Sequence, residues 1–319
     1  LKTIKEKGFW YFYGKHIQKL KKYFMKWMNL LQGKGKLIAL FLFMICAIQS
    51  NAQRAKNNSL LWEISGNGLQ QPSYLFGTIH MICKENFQLS ATVKQKFSTS
   101  KQVYLELDMD DPKLQSIMMG QMQLPSNESL KTKLGEKNFN TLDAFIKKEM
   151  NMNLAVFDRF KPMMVMSLLA QRMLSCTEIE SYEMSFVKMA SEQKKELLGL
   201  ERVEDQVAVF DAIPDSLEIG SIMNMVNNFE NQKNEFKRMS KLYQDQNVES
   251  LYQIMVESPE MMGSQEFLLD QRNRNWIPVM ESAMKKSSTF FAVGAGHLSG
   301  NQGVLELLRK QGYTVKPIQ

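Results

Sequence analysis

The chain has 319 residues, 44% of them hydrophobic and 23% charged, with 17 Gly and 8 Pro. Those fractions exclude a collagen-like, low-complexity or largely disordered protein and leave ample chain for a core. The net charge of +7 is unevenly placed. Residues 1–52 hold ten lysines, no arginine and one acid, Glu6, and the remaining 30 basic and 32 acidic residues leave the rest near −2. A domain of that charge has no electrostatic footprint for phosphates, so no nucleic-acid partner is expected. Three cysteines are too few for a disulfide scaffold or a four-thiolate zinc site.

The first element is a targeting signal. Leu37–Ile48 reads LIALFLFMICAI, an unbroken apolar run preceded by Lys34 and Lys36 and followed by Ser50-Asn51-Ala52. Small residues three and one before a cut at Gln53 complete the three-part pattern of a secretory signal peptide. Twelve apolar residues are too few to cross a hydrocarbon layer about 30 Å thick, which takes about 20. No stable membrane span is therefore expected after cleavage. Ile45 ahead of Cys46, where lipid processing wants a small residue, argues against lipidation. Residues 28–52 are read as the signal peptide, cleaved near Ala52, and 1–27 as a start-site artefact ahead of Met25 or Met28. The other reading of 1–27 is a basic amphipathic helix on a membrane surface, with Lys15–Met28 as its best stretch. The expectation is one secreted or periplasmic domain over residues 53–319.

Within that domain, Leu60–Ser65, the turn Gly66-Asn67-Gly68 and Ser73–Ile79 read as a hairpin. Gln102–Asp108 alternates Val103, Leu105 and Leu107 with Tyr104, Glu106 and Asp108, the period of a strand. Residues 112–192 have helical spacing, with Pro162 opening one segment. Lys195–Leu200 reads as a short strand, and helices follow to about Lys285 with breaks near Pro214 and Ser258-Pro259. Strand Thr289–Gly294, helix Gln302–Lys310 and strand Tyr313–Pro317 close the chain. The predicted fold is α/β (α+β): a mixed sheet built from strands at both chain ends, flanked by helices, with a long central helical insert. The 24 methionines, mostly on helices, are read as core packing, with an adaptable binding groove as the other reading.

Two of the three histidines share one setting. Gly77-Thr78-Ile79-His80 follows the aromatic strand Ser73–Phe76, and Gly294-Ala295-Gly296-His297 follows the aromatic strand Thr289–Val293. Glycine at a strand end permits a sharp turn and close approach to a ligand. Each imidazole then projects from the carboxyl edge of a sheet, where open α/β sheets bind ligands. Two His and one carboxylate would leave a metal open positions for water and substrate. Glu106 is the best-placed carboxylate, since Leu105 and Leu107 point to the other face; Asp108 shares its face and comes second. The bland reading makes each His a satisfied turn or core residue. No H-E-x-x-H, G-x-S-x-G or Walker sequence is present, so those mechanisms lack support.

The runs LWEISGNGLQQPSYLFGTIH, YLELD, QRNRNW and FFAVGAGHLSGNQGVLELLRKQGYTV together resemble the TraB/GumN family, which includes the Tiki metal-dependent proteases. The resemblance extends from about Leu60 to Val315. It implies an α/β fold in which His80, His297 and Glu106 hold a divalent metal, manganese or cobalt, with zinc or iron as further candidates. The family's R-N-x-x-W/M segment falls on Arg272, Asn273 and Trp276. The implied activity is metal-dependent hydrolysis of a peptide or protein substrate. Glu106 would act as ligand or general base, and Arg272 would stabilise an oxyanion or clamp a substrate carboxylate. For Arg272 and Asn273 the bland reading is a solvated helix face. Glu183 and Glu201 are weaker candidates for substrate-side or structural roles. A haem- or iron-binding protein, or a non-catalytic interaction protein on the same fold, is the alternative. Cys83 and Cys176 can pair in an oxidising compartment; unpaired buried thiols, or a Cys83 close to the metal, are the other readings.

Overall fold

The computed structural model describes residues 58–258, 261 and 263–319. The readings made on residues 1–57, the signal peptide among them, and on Pro259 lie outside that range. The strands are β1 (Leu61–Ser65), β2 (Ser73–Thr78), β3 (Ile82–Cys83), β4 (Gln102–Leu105), β5 (Ile179–Glu180), β6 (Leu197–Gly199), β7 (Thr289–Gly294) and β8 (Thr314–Ile318). The first helices are α1 (Ala91–Thr99), α2 (Leu114–Gln121), α3 (Leu130–Leu134), α4 (Glu136–Met150), α5 (Pro162–Met173) and α6 (Tyr182–Glu192). They are followed by α7 (Val203–Asp211), α8 (Asp215–Asn227), α9 (Phe229–Gln244), α10 (Val248–Glu257), α11 (Gln271–Lys286) and α12 (Val304–Lys310).

Six strands form one mixed sheet in the order β6-β4-β7-β2-β1-β8. β6, β4, β7 and β2 run parallel, while β1 pairs antiparallel with both β2 and β8. The sheet is thus assembled from both chain ends, as expected, with β4 and β6 contributed from the interior. Burial explains the centre. β2 is buried at every residue and β7 at all but its last, the continuous apolar pattern of strands covered on both faces. Phe76, Phe97, Phe186 and Phe290 meet over this sheet, with ring centroids 5.2–6.5 Å apart. Such pairs add about 0.5–1.5 kcal/mol each beyond their buried area.

Three local features depart from the sequence reading. β4 ends at Leu105, so Glu106 lies one residue past the strand rather than inside it. The pairing nevertheless persists in two further bonds, Leu200 N–H to Leu105 C=O at 2.9 Å and Glu201 N–H to Glu106 C=O at 3.0 Å. Helix α1 was not anticipated; its start is marked by Ser90, whose side chain accepts from Val93 N–H, a local cap signal. The two-residue ribbon β3–β5 is too short for any periodicity to announce it.

The ribbon is pinned by a disulfide between Cys83 and Cys176, 93 residues apart in sequence. This decides the cysteine question in favour of the pair and takes Cys83 out of contention as a metal ligand. A bridge closing so long a loop typically stabilises by about 2–5 kcal/mol. The Cys83→Ser/Cys176→Ser protein should therefore unfold at lower denaturant by roughly that amount. Equal midpoints for the two proteins under non-reducing conditions would contradict it.

Candidate metal centre

Four parallel strands lie side by side, and each releases a polar residue just past its carboxyl end. His80 follows β2 by two residues, Glu106 follows β4 by one, and Glu201 follows β6 by two. His297 ends the 3-10 turn Ala295–His297 behind β7. The register brings them level, with Thr78 opposite Gly294 and Leu105 opposite Gly199.

Arg272, in the first turn of α11, joins three of these four. Its Nε and Nη2 donate to the Glu201 carboxylate at 2.6–3.1 Å, and Nη2 also donates to Glu106 Oε2 at 2.6 Å. Its Nη1 donates to Leu268 C=O at 3.1 Å and to His297 Nε2 at 3.2 Å. All five N–H groups of the guanidinium fork therefore face protein acceptors. A direct role toward substrate would require one of these bonds to be exchanged. Trp276, one turn along α11, donates its indole N–H to Glu201 Oε2 at 3.0 Å and packs at a tilt against His297, with centroids 4.5 Å apart. Arg272 and Asn273 are buried, not on the solvated helix face that the bland reading gave them.

Both histidines are oriented through Nδ1. His297 Nδ1 lies 2.7 Å from Asn273 Oδ1, which can only accept, and Asn273 Nδ2 is held by Gln302 C=O at 2.9 Å. His80 Nδ1 lies 2.9 Å from Glu183 Oε1. Glu183 is itself fixed by the hydroxyls of Thr78 and Ser181 at 2.6 and 2.8 Å. In neutral His297 the proton sits on Nδ1 and the Nε2 lone pair accepts from Arg272. His80 donates Nδ1–H to Glu183 and would offer Nε2 to a metal only on giving up its second proton. A committed Nδ1–H is the outer-sphere arrangement usual for metal-ligating histidines. Glu106 is equally tethered: Oε1 accepts from Gly294 N–H at 2.7 Å, and Gln206 Nε2 lies 3.4 Å from Oε2.

Electrostatics separates the two rings. Burial, reinforced by Arg272, lowers His297 to about 3 and keeps it neutral. Its hydrogen bond to Glu183 raises His80 to about 9, against the opposing effect of burial. Burial alone would raise Glu106, but Arg272 and both histidines outweigh it and hold the carboxyl at about 2. The consequences for the metal-free fold have opposite signs. Unfolded His297 takes up a proton that the folded ring refuses, so stability falls as pH drops from 6.5 toward 3. The His80 contribution is full below 6.5 and is lost as pH rises through 9, weakened because 69% of its side chain meets solvent. Side-chain nitrogen NMR in chelator should show one imidazole neutral down to pH 4 and another still protonated at pH 8. Titration of both near 6.5 would contradict this.

The site has room at one defined point. A Cβ on Gly294 would lie 3.3 Å from Glu106 Oε1, 3.6 Å from His297 Cδ2 and 4.0 Å from His80 Nε2. The missing side chain leaves a cradle among two imidazoles and a carboxylate, a donor set that suits a divalent transition metal. The fit is one of chemistry and space: the three donor atoms do not all lie within 4.8 Å of one another, and Arg272 bridges Glu106 and His297. Gly77 serves a different purpose, since its Cβ would come within 2.6 Å of Leu298 Cδ1 and 3.2 Å of Ala295 Cα. Gly294 has φ −51 and ψ 134, open to any residue. Gly294→Ala should therefore keep its melting temperature but bind metal at least about tenfold more weakly. Gly77→Ala should instead lose about 1–3 kcal/mol of stability through overpacking. Calorimetry and metal titration on the two proteins check the contrast.

His80, Glu106, Glu183, Gln206 and Arg272 line one end of a cavity of about 690 Å³ that extends under the helical insert. Of the first-choice site residues, His80, Glu106 and Arg272 line this cavity, while His297 and Asn273 lie behind them, joined through Arg272 and through each other. Asp108, the second-choice carboxylate, is engaged with Asp110 and lies off the cavity wall. Glu183 and Glu201 are more central than the sequence suggested, each the carboxylate partner of a cation. Their only local signals were a helix cap before Glu183 and a strand end before Glu201. Gln206 carried no signal at all.

Two imidazoles, a carboxylate and an arginine thus converge at the ends of parallel strands in an α/β domain. The chain belongs to the TraB/PrgY/gumN family, whose model matches residues 60–317. It is 24% identical over 316 residues to "Metalloprotease TIKI2" of Danio rerio, covering 81% of this chain and 61% of that protein. It is 23% identical over 321 residues to "Metalloprotease TIKI1" of Homo sapiens, covering 83% of this chain and 63% of that protein. A "Metalloprotease TIKI homolog" of Nematostella vectensis is 23% identical over 321 residues, with 82% and 67% covered. The chain thus spans about three-fifths of the length of the first two of these relatives. No solved structure matches it.

Proposed function

We propose that the protein is an exported, metal-dependent hydrolase of the peptidase type. The observation that carries this reading is the pair of imidazoles whose Nδ1 atoms are committed to Glu183 and Asn273, with Glu106 beside them around the space at Gly294. The metalloprotease names of the relatives support it. His80, His297 and Glu106 would hold the ion, with manganese or cobalt implied by the family and zinc or iron compatible with the donors. When bound, such an ion supplies Lewis acidity, which polarises a carbonyl and makes water nucleophilic near neutral pH. Arg272 keeps Glu106 ionised and at a fixed angle. Glu201 and Trp276 hold Arg272 in turn, so the constellation is preorganised. Export agrees with the disulfide, which persists in oxidising compartments. Among the described residues no helix is long and apolar enough to cross a membrane.

The test is elemental mass spectrometry on protein soaked in manganese, cobalt, zinc and iron, beside hydrolysis of a peptide mixture. Wild type should bind one ion in near-stoichiometric amount and cleave peptides, while His80→Ala and His297→Ala do neither. Glu183→Ala and Asn273→Ala should weaken metal binding by about 10–100-fold. Glu106→Gln separates its two roles: a lost ion makes it a ligand, a retained ion with lost turnover makes it the base. Absence of metal under every condition would sink the reading, and a Soret band in the purified protein would favour haem binding in its place.

A further inference from the structure

The cavity that opens on the metal centre has a second character farther along its wall. Met109, Met118, Met122, Met163, Met166 and Met225 line it. They come from the loop after β4, from α2 and its end, from α5 and from α8. Methionines on four separate segments facing one space are more than a stripe on one helix. Their unbranched, polarisable side chains form a wall that adapts to different apolar guests. The volume of about 690 Å³ lies within the roughly 300–1,000 Å³ of sites that enclose an organic ligand.

Charge narrows the guest. The ionisable groups on the wall are His80, Glu106, Glu183, Arg272 and Glu218. The first four are paired with one another or with Glu201 at the metal end. Burial, aided by Asp215 and opposed by Lys133, raises Glu218 to about 7, so it gives the methionine-lined part only a partial charge at neutral pH. Among the described residues no lysine lines the wall to receive an acidic group. At the polar end the Arg272 N–H groups are all engaged and two carboxylates stand nearby. A neutral peptide carbonyl suits that end better than the free carboxylate of a fatty acid.

We propose that the methionine-lined part of the cavity is a specificity pocket that receives a large, flexible apolar side chain (Met, Leu or Phe) of a peptide lying across the metal centre. The inference rests on the peptidase reading for what lies across the centre, but the pocket's preference can be measured without turnover. Half-buried Met118 and Met166, on α2 and α5, are the residues whose side chains set that preference.

The experiment measures binding of labelled alanine-based heptapeptides, differing only at the central residue, to the full chain in chelator by fluorescence anisotropy. Peptides with central Met, Leu or Phe should bind at least about tenfold tighter than those with Glu or Lys. Met118→Lys and Met166→Lys should each erase that preference and improve binding of the Glu peptide. The two substitutions sit on different helices, and a thermal melt checks that each variant is folded. Equal affinity for all peptides, or an unchanged apolar preference in both folded variants, overturns the proposal. Displacement of no peptide by palmitate supports it, whereas palmitate binding with no peptide binding overturns it in favour of a lipid site. Apolar-selective binding without cleavage by the metal-loaded protein upholds the pocket and sinks the hydrolase reading, so the two failures are distinguishable.

Discussion

A single guanidinium ties the carboxyl ends of three parallel strands together. Arg272 reaches Glu106 past β4, Glu201 past β6 and His297 past β7, and it does so while buried. Its planar fork presents five N–H groups in fixed directions, where a lysine ammonium presents three on a single nitrogen. The burial is also what makes the arrangement demanding. Two carboxylates and one cation out of water are tolerated only when paired, and breaking such a set by removing one partner typically costs about 3–5 kcal/mol. Trp276 closes the back of this network and supplies an indole donor to Glu201.

The sheet order gives that network its position. β4 and β6 arrive from the interior of the sequence, yet they insert beside β7. Residues 106, 201 and 297 therefore stand side by side, although nearly 200 positions separate the first from the last. On the other side of β7, β2 carries His80, whose loop is held by Glu183 and by the Cys83–Cys176 bridge three residues on. Rigid strand ends on one side and a tethered loop on the other hold these polar side chains in fixed positions.

Behind the site the packing divides. One apolar cluster fills the faces of the sheet, and a second joins α3, α4, α5 and α8 within the insert. The cavity lies where the sheet edge meets the insert, lined by residues of both. Its wall carries both the paired ionisable groups of the site and six methionines. Methionine suits such a border because it packs without demanding one fixed shape.

The two G-x-x-H turns were legible in the sequence because each couples a short local pattern to an aromatic strand, and both turn and strand obey nearest-neighbour sterics. The mixed sheet was legible for the same reason, since burial on both faces writes a continuous apolar run at β2 and β7. Glu106 was chosen by alternation within a strand, and it lies one residue past a strand that proved shorter than the pattern. Glu183, Glu201 and Gln206 could be weighed only weakly or not at all. Their partners lie about 70 to 100 residues away, and no periodicity encodes a hydrogen bond across that distance. Local sterics and burial patterns determine which elements form and which residues end them. Strand order alone decides which of those ends share one buried space, because charges out of water must find partners that only the assembled sheet can bring.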